Sequence, residues 1–264
     1  MRQLLPEAVD AVDPWDVYRP ADRDAPLLRL NMVTSLDGAA TDAEGRSGGL
    51  GGDGDWEVFR TLRAQADAIV VGAGTARTEG YGPHRVPAHL RQRRRGLLGA
   101  EAPASIVLVS RSLALDPASA LFTEAQTPTT VLTCAASDPE RRRALGRVGE
   151  VLVAGEHQVD LAEGLAQVRE RHGPIVVGEG GPSLNRLMLA EAVVDQLCVT
   201  VAPQLLGSAG PRLGGQLETL VQLALRSACT DDSGELFLSY AVTDPAEADQ
   251  NSRSSSEARP RSAS

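Results

Sequence analysis

Short apolar runs recur along the chain at Leu27–Val33, Ala68–Gly72, Ser105–Ser110, Thr130–Cys134, Val148–Val153 and Ile175–Gly178. They are rich in Val, Ile and Leu and too short for core helices, so they read as buried strands. Between most of them the pattern changes to helical spacing. In Asp55–Ala66 the residues Val58, Leu62 and Ala66 recur at about one turn, with Asp53 placed to cap. Similar segments are Asp138–Leu145, Leu161–Arg171 and Pro182–Ala190. Strand and helix in alternation predict an α/β fold, with a mostly parallel central sheet and helices on both faces. The last third differs. Val194–Ala202, Gln222–Ala228 and Leu236–Val242 have strand character with no long helical pattern between them, and Asp231-Asp232-Ser233-Gly234 is a turn. Antiparallel C-terminal strands on one side of the sheet are expected.

The two ends carry other patterns. Residues 1–25 hold Pro6, Pro14, Pro20 and several Asp, and read as an irregular N-terminal arm pinned by Trp15 and Tyr18. Residues 26–243 form one domain. From Asp244 the chain turns to Ser, Arg, Glu and Ala, and residues 244–264 are expected to be a disordered tail.

Composition narrows the function. The 264 residues are 42% hydrophobic and 23% charged, an ordinary globular balance. Net charge is −9 and aromatics are 3%, which argues against a nucleic-acid surface. All 26 basic residues are Arg, which excludes a Walker lysine and a Schiff-base lysine. Cys134, Cys198 and Cys229 form no CxxC pair, and the four His lack metal spacing, so no metal site is expected. No apolar stretch reaches membrane-span length and no leader pattern opens the chain; a cytoplasmic setting is expected.

Four segments carry candidate chemistry. Asn31 to Gly38 ends the first core strand and presents Ser35 and Asp37 where open α/β sheets bind ligands. Gly45 to Gly54 is glycine-rich around Ser47, suited either to close ligand approach or to a mobile loop. Leu62-Arg63-Ala64 precedes a strand that enters the turn Gly72-Ala73-Gly74-Thr75; Arg63 reads as a helix-dipole partner or a substrate clamp. Ile175 to Leu184 repeats the strand-to-glycine-turn plan, with Pro182 at a first helical position. That last turn reads as a pyrophosphate cradle or a plain turn, and Glu179 within it as a group for another ligand. Together they suggest a dinucleotide laid across strand ends.

The motifs SLDG (Ser35–Gly38), GRS (Gly45–Ser47), LRA (Leu62–Ala64), DAIVVGAGT (Asp67–Thr75) and GEGGPSL (Gly178–Leu184) stand in one order. In this the chain resembles the reductase domain of the bifunctional riboflavin-biosynthesis deaminase/reductase family, and its reductase-only relatives, over about residues 26–243. The resemblance implies a dihydrofolate-reductase-like fold, NADPH as cofactor, a homodimer and a small-molecule substrate. The implied reaction reduces the ribosyl group of 5-amino-6-(5-phosphoribosylamino)uracil. The deaminase motifs HxE and PCxxC are absent. By the resemblance, the cofactor meets Gly72, Gly74, Thr75, Ser110, Arg111, Gly178, Gly180, Gly181, Pro182, Ser183 and Leu184, with Ser110 and Arg111 at the 2′-phosphate. The substrate meets Asn31, Ser35, Asp37, Ser47 and Arg63, and Glu79 and Glu179 are the catalytic carboxylates. Asn31 stands where the family often has Lys, Glu79 where it usually has Asp, and Arg85 is a substitute for the family's phosphate-binding Arg. A pterin reductase and a non-catalytic NADPH-binding protein are the alternative readings.

Overall fold

The computed structural model describes residues 1–42, 45–99, 101–207, 211–213 and 215–243. In chain order the elements are β1 (Arg2–Leu5), α1 (Pro14–Val17), β2 (Leu27–Ser35), α2 (Asp53–Gln65), β3 (Ala68–Gly72), α3 (Ala73–Thr78), α4 (Ala88–Leu98), β4 (Ser105–Val109), α5 (Ala120–Thr123) and β5 (Thr130–Thr133). They continue with α6 (Pro139–Leu145), β6 (Glu150–Val153), α7 (Leu161–His172), β7 (Ile175–Gly178), α8 (Pro182–Ala190), β8 (Gln196–Ala202), β9 (Gln222–Thr230) and β10 (Leu236–Thr243). All ten strands join one sheet in the order β1-β9-β10-β8-β2-β7-β3-β4-β5-β6. From β8 through β6 every pairing is parallel, while β10 pairs antiparallel with both β8 and β9. The mostly parallel sheet with antiparallel C-terminal strands is the architecture expected from the sequence.

The two-residue period of the strands divides the core between two faces. On one face Ile69, Val71, Ile106, Leu108 and Val177 pack with Val58 and Leu62 of α2. On the other, Leu28, Leu30, Val70, Val107 and Val176 pack with Leu161, Leu165 and Val168 of α7 and Leu184 and Met188 of α8. Both faces of β7 are covered, so Ile175, Val176 and Val177 are all buried and each contributes roughly 1.5–3 kcal/mol. The last residue of this strand, Gly178, is glycine because a Cβ there would lie 2.6 Å from Leu30 Cδ2. The three cysteines are buried and free.

Three local details differ from the sequence expectation. Residues 1–25 are not irregular throughout: β1 adds an antiparallel edge beside β9, and Asp13 caps the single turn α1. Trp15 and Tyr18 are buried, and the arm is tied down by Arg29 Nη1 donating to Tyr18 O (2.6 Å) and Gln65 Nε2 donating to Trp15 O (2.7 Å). Helix α4 has only Leu90 among its apolar residues fully buried, which hid it from apolar periodicity. Its inner contact is Arg94, whose guanidinium donates to Ala64 O and Ala66 O at the end of α2. Asp53 is the first residue of α2 rather than its cap; Glu235 takes the cap position from a distant turn by accepting from Gly52 N at 2.7 Å. The tail 244–264 lies outside the described residues.

Candidate active site

Strand β7 lies between β2 and β3, with Gly178 in register with Leu30 on one side and Val70 on the other. The carboxyl ends of these parallel strands therefore converge. They bring Asn31–Val33, Gly72–Thr75 and Gly178–Pro182 to one edge, where α/β sheets bind ligands. A hydrogen bond from Gly72 N to Gly180 O (2.8 Å) joins the two glycine turns.

Two hollows open there. The first, about 250 Å³, is lined by Asn31, Asp55, Phe59, Arg63, Tyr81 and Glu179 among others. The second, about 290 Å³, is lined by Gly74, Thr75, Gly181 and Pro182 among others. Met32, Ser47, Glu79 and Glu179 line both, so the two hollows adjoin across these four residues.

In the wall between them sits an ion pair. Arg63 Nε and Nη2 donate to Glu179 Oε1 and Oε2, each at 2.6 Å, and the Tyr81 hydroxyl donates to Oε2 at 2.7 Å. The guanidinium also lies 4.0 Å from the Phe59 ring centroid. Burial works against the Arg63 charge, but Glu179 outweighs it and moves the guanidinium pKa upward. Burial and the adjacent Glu179 raise the Tyr81 phenol well above its ordinary value, so it remains a donor. Two of the three guanidinium nitrogens are committed to Glu179. Arg63, which the sequence leaves as a helix-dipole partner or a substrate clamp, is thus half of a closed pair that still lines the first hollow.

Glu79 ends α3 and reaches the glycine-rich segment. Its Oε1 accepts from Ser47 N (2.9 Å) and Ser47 Oγ (3.1 Å), pinning that segment over both hollows. Its Oε2 has no protein partner among the described residues.

The second hollow fits a dinucleotide phosphate. Helix α8 starts at Gly181 with no side chain capping it and Pro182 at its first position, leaving free N–H groups at Ser183 and Leu184. A Cβ on Gly181 would overlap Thr75 Oγ1, so the cradle depends on the missing side chain. The positive φ belongs to Gly180, at +88°, whereas Gly181 is at −76°. Ser110 and Arg111 follow β4 on the same sheet edge. Ser110 is buried and accepts from Leu113 N, while Arg111 is exposed with no partner among the described residues.

Ser35, Asp37, Gly72, Ser110, Arg111, Gly178, Gly180, Ser183 and Leu184, all expected site residues, are absent from both linings, as is Arg85. Ser35 Oγ donates to Asp37 Oδ1, and Asp37 accepts from Leu206 N and Gly207 N, stapling one loop to another. Those hydrogen bonds, the one from Ser35 first, lower the Asp37 pKa to about 2. Gly178 is glycine for packing against Leu30 rather than for ligand approach. Arg85 donates to Glu124 O at 2.7 Å.

Sequence reasoning missed Asp55, Trp56, Phe59 and Tyr81 in the first hollow. The signal for two of them was the spacing from Asp55 through Phe59 to Arg63, which puts them along one side of α2, and Trp56 stands three residues before Phe59. Tyr81 lies just past α3, and its signal was its distance from a helix end. Among the described residues no His, Cys, Asp and Glu group is arranged to hold a metal, and no helix is long and apolar enough to cross a membrane.

Comparison with known proteins places these features in context. Residues 26–237 match the family model described as the RibD C-terminal domain. A 2,5-diamino-6-ribosylamino-4(3H)-pyrimidinone 5′-phosphate reductase of Methanothermobacter thermautotrophicus is 30% identical over 189 residues, covering 71% of this chain and 82% of the relative. The enzyme of the same description from Archaeoglobus fulgidus is 29% identical, over 69% of this chain and 82% of the relative. The crystal structure of a pyrimidine reductase-like protein from Corynebacterium diphtheriae superposes with a TM-score of 0.77 at 30% identity, over 89% of this chain and 100% of that one.

Proposed function

Because the chain belongs to the RibD C-terminal domain family, we propose that it is an NADPH-dependent reductase of a 5-phosphoribosylamino-pyrimidine. The reaction reduces the ribosyl group at C1′ to a ribityl chain. 5-Amino-6-(5-phosphoribosylamino)uracil and the 2-amino pyrimidinone acted on by the relatives carry the same reacting carbon. The observation that carries this reading is the pair of adjoining hollows. One is lined by aromatics and paired charges, the other by an uncapped helix start and glycines, and the two share Met32, Ser47, Glu79 and Glu179.

The second hollow would hold NADPH, which when bound would supply the hydride. The chain's own residues hold and orient. The N–H groups at the start of α8 and the Thr75 hydroxyl hold the pyrophosphate. Arg111, exposed and unpaired beside Ser110, holds the 2′-phosphate. Phe59 and Tyr81 wall the pyrimidine ring and exclude water. The closed Arg63–Glu179 pair fixes the wall at the junction, so that the reacting carbon faces the cofactor side. Glu79 holds Ser47 with one carboxylate oxygen and presents the other toward the positive charge that develops on the ring-opened imine nitrogen. The enzyme acts as a homodimer, and Leu223 and Leu225 on β9, each about 40% exposed, are offered as part of the subunit contact.

The test is a paired assay following NADPH absorbance with the phosphoribosylaminopyrimidine and, separately, with dihydrofolate. Faster turnover of the ribosylaminopyrimidine is expected. Faster turnover of dihydrofolate would replace this reading with a pterin reductase.

A further inference from the structure

Asp55 is a carboxylate the mechanism above does not use. It stands in the first turn of α2 and lines the first hollow but not the second. An acidic side chain at this helix position ordinarily turns back to cap the helix start. Here that place is taken. Glu235, only 2% exposed, accepts from Gly52 N (2.7 Å) and Asp55 N (3.3 Å). The Asp55 carboxylate is therefore not needed by the helix. It accepts a hydrogen bond from the Thr200 hydroxyl and lies near the Glu235 carboxylate, and no cation pairs with it among the described residues.

An acceptor without a partner among the described residues lines the same hollow. Asn31 is only 9% exposed, and its Oδ1 has no hydrogen-bond partner. Trp56 stands beside Asp55 and remains 45% exposed, edge-on to Phe59 at 5.3 Å between centroids. The hollow thus offers a carboxylate held by one hydroxyl, an unpaired amide oxygen and aromatic walls.

Resting on the function proposed above, we propose that Asp55 selects the ring. It receives the two parallel N–H donors of a 2-amino-pyrimidin-4(3H)-one, the ring N3–H and the 2-amino group, and so favours the 2-amino substrate over the 2-oxo uracil. The orientation follows from the two ends of the hollow. The reacting carbon, attached through the 6-amino nitrogen, must lie at the residues shared with the cofactor cleft. Asp55 is eight residues before Arg63 on α2, about 12 Å along the helix axis, and outside the shared set. The ring edge that reaches it is the one opposite C6, which is N3 with its C2 substituent. A uracil places a carbonyl there, and its oxygen meets a carboxylate oxygen with no hydrogen between them. Burial, then Glu235, raise the Asp55 pKa to about 6, so a ligand that supplies two donors restores what the site withholds from the ionised form.

The test measures dissociation constants by calorimetry with protein saturated in NADP+, for the 2-amino and the 2-oxo ribosylaminopyrimidine phosphates. Wild type, Asp55→Asn and Asp55→Ala are compared. Wild type is expected to bind the 2-amino ring at least tenfold more tightly. Asp55→Asn should lose most of that ratio while its NADP+ affinity stays unchanged, which also reports that the variant is folded. An unchanged ratio in a variant that still binds NADP+, or a wild-type preference for the 2-oxo ring, overturns the proposal and leaves the reductase reading standing. Binding of neither ring by NADP+-loaded protein overturns both.

Discussion

Arg63 and Glu179, 116 residues apart, meet through two parallel hydrogen bonds of 2.6 Å in the wall between the two hollows. The Glu179 side chain is 2% exposed and the Arg63 side chain 15%. Breaking such a pair from one side leaves an uncompensated charge, and costs about 3–5 kcal/mol. Arg63→Met should therefore destabilise strongly, and Glu179→Leu in the same background should recover most of the loss. Urea denaturation of the two single variants and the double variant checks this. Additive losses would show that the two side chains are not coupled.

A Cβ on Gly181 overlaps Thr75 Oγ1, and the backbone there has φ of −76°, so the penalty is steric and not conformational. Gly181→Ala should lower stability by roughly 1–3 kcal/mol. Thr75→Ala in that background should return most of it. Gly181→Val should also abolish NADPH binding, read by fluorescence titration. Normal cofactor affinity in a folded Gly181→Val variant would detach the turn from the cofactor.

Arg111 is exposed and has no partner among the described residues, unlike Arg77 and Arg141, which donate to Ala114 O and Ser112 O nearby. It is the free cation at the end of β4. NADPH should bind more tightly than NADH, and Arg111→Ala should remove most of that difference with little change for NADH. Equal affinities in the wild type would eliminate the 2′-phosphate role.

The Asp55 carboxyl has a folded pKa near 6 against an ordinary value of 3.8. The folded state thus holds the proton more tightly than the unfolded chain. Stability that is complete below pH 4 is lost as pH rises through 6. Asn cannot ionise, so Asp55→Asn should match the wild type at pH 4 and exceed it at pH 8, by about 3 kcal/mol. Thermal melts across that range check the sign. A variant less stable than the wild type at pH 8 would mean that the ionised carboxylate is well satisfied in the free protein.

Leu223 and Leu225 point to one side of β9 and are 40% and 42% exposed. If they lie in the subunit contact, Leu225→Arg should shift the protein toward monomer in sedimentation equilibrium. An unchanged mass would move the contact elsewhere.

The parallel strands were legible because covered strands must be continuously apolar, as Ala68–Gly72 and Ile175–Gly178 are. The glycine turns were legible as strand ends, because an apolar run that stops at Gly72 or Gly178 marks its own boundary, while their use stayed open between a ligand and packing. Helix α4 was not, since its inward contact is the arginine Arg94, and periodicity counts only apolar residues. Ser35 and Asp37 misled for a related reason. Polar residues at a strand's carboxyl end serve a ligand or another loop equally well, and the partner loop at Leu206 and Gly207 is about 170 residues away. Asp55 was hidden because a carboxylate in a first helical turn already has a routine explanation. Only the arrival of Glu235 from residue 235 removes that explanation.

The placement of β7 between β2 and β3 also sets the order of events at the ribosome. Both neighbours are complete by residue 72, yet the strand that joins them ends at Gly178. Until then β2 and β3 each present an unpaired edge, and neither hollow has its dividing wall. A nascent chain shorter than this holds β2 with neither of its strand neighbours and β3 to β6 as a partial sheet with an open hydrogen-bonding row, the state most exposed to wrong pairing. Filling the gap between β2 and β3 and bringing Glu179 to the two hollows are therefore one event, carried by β7.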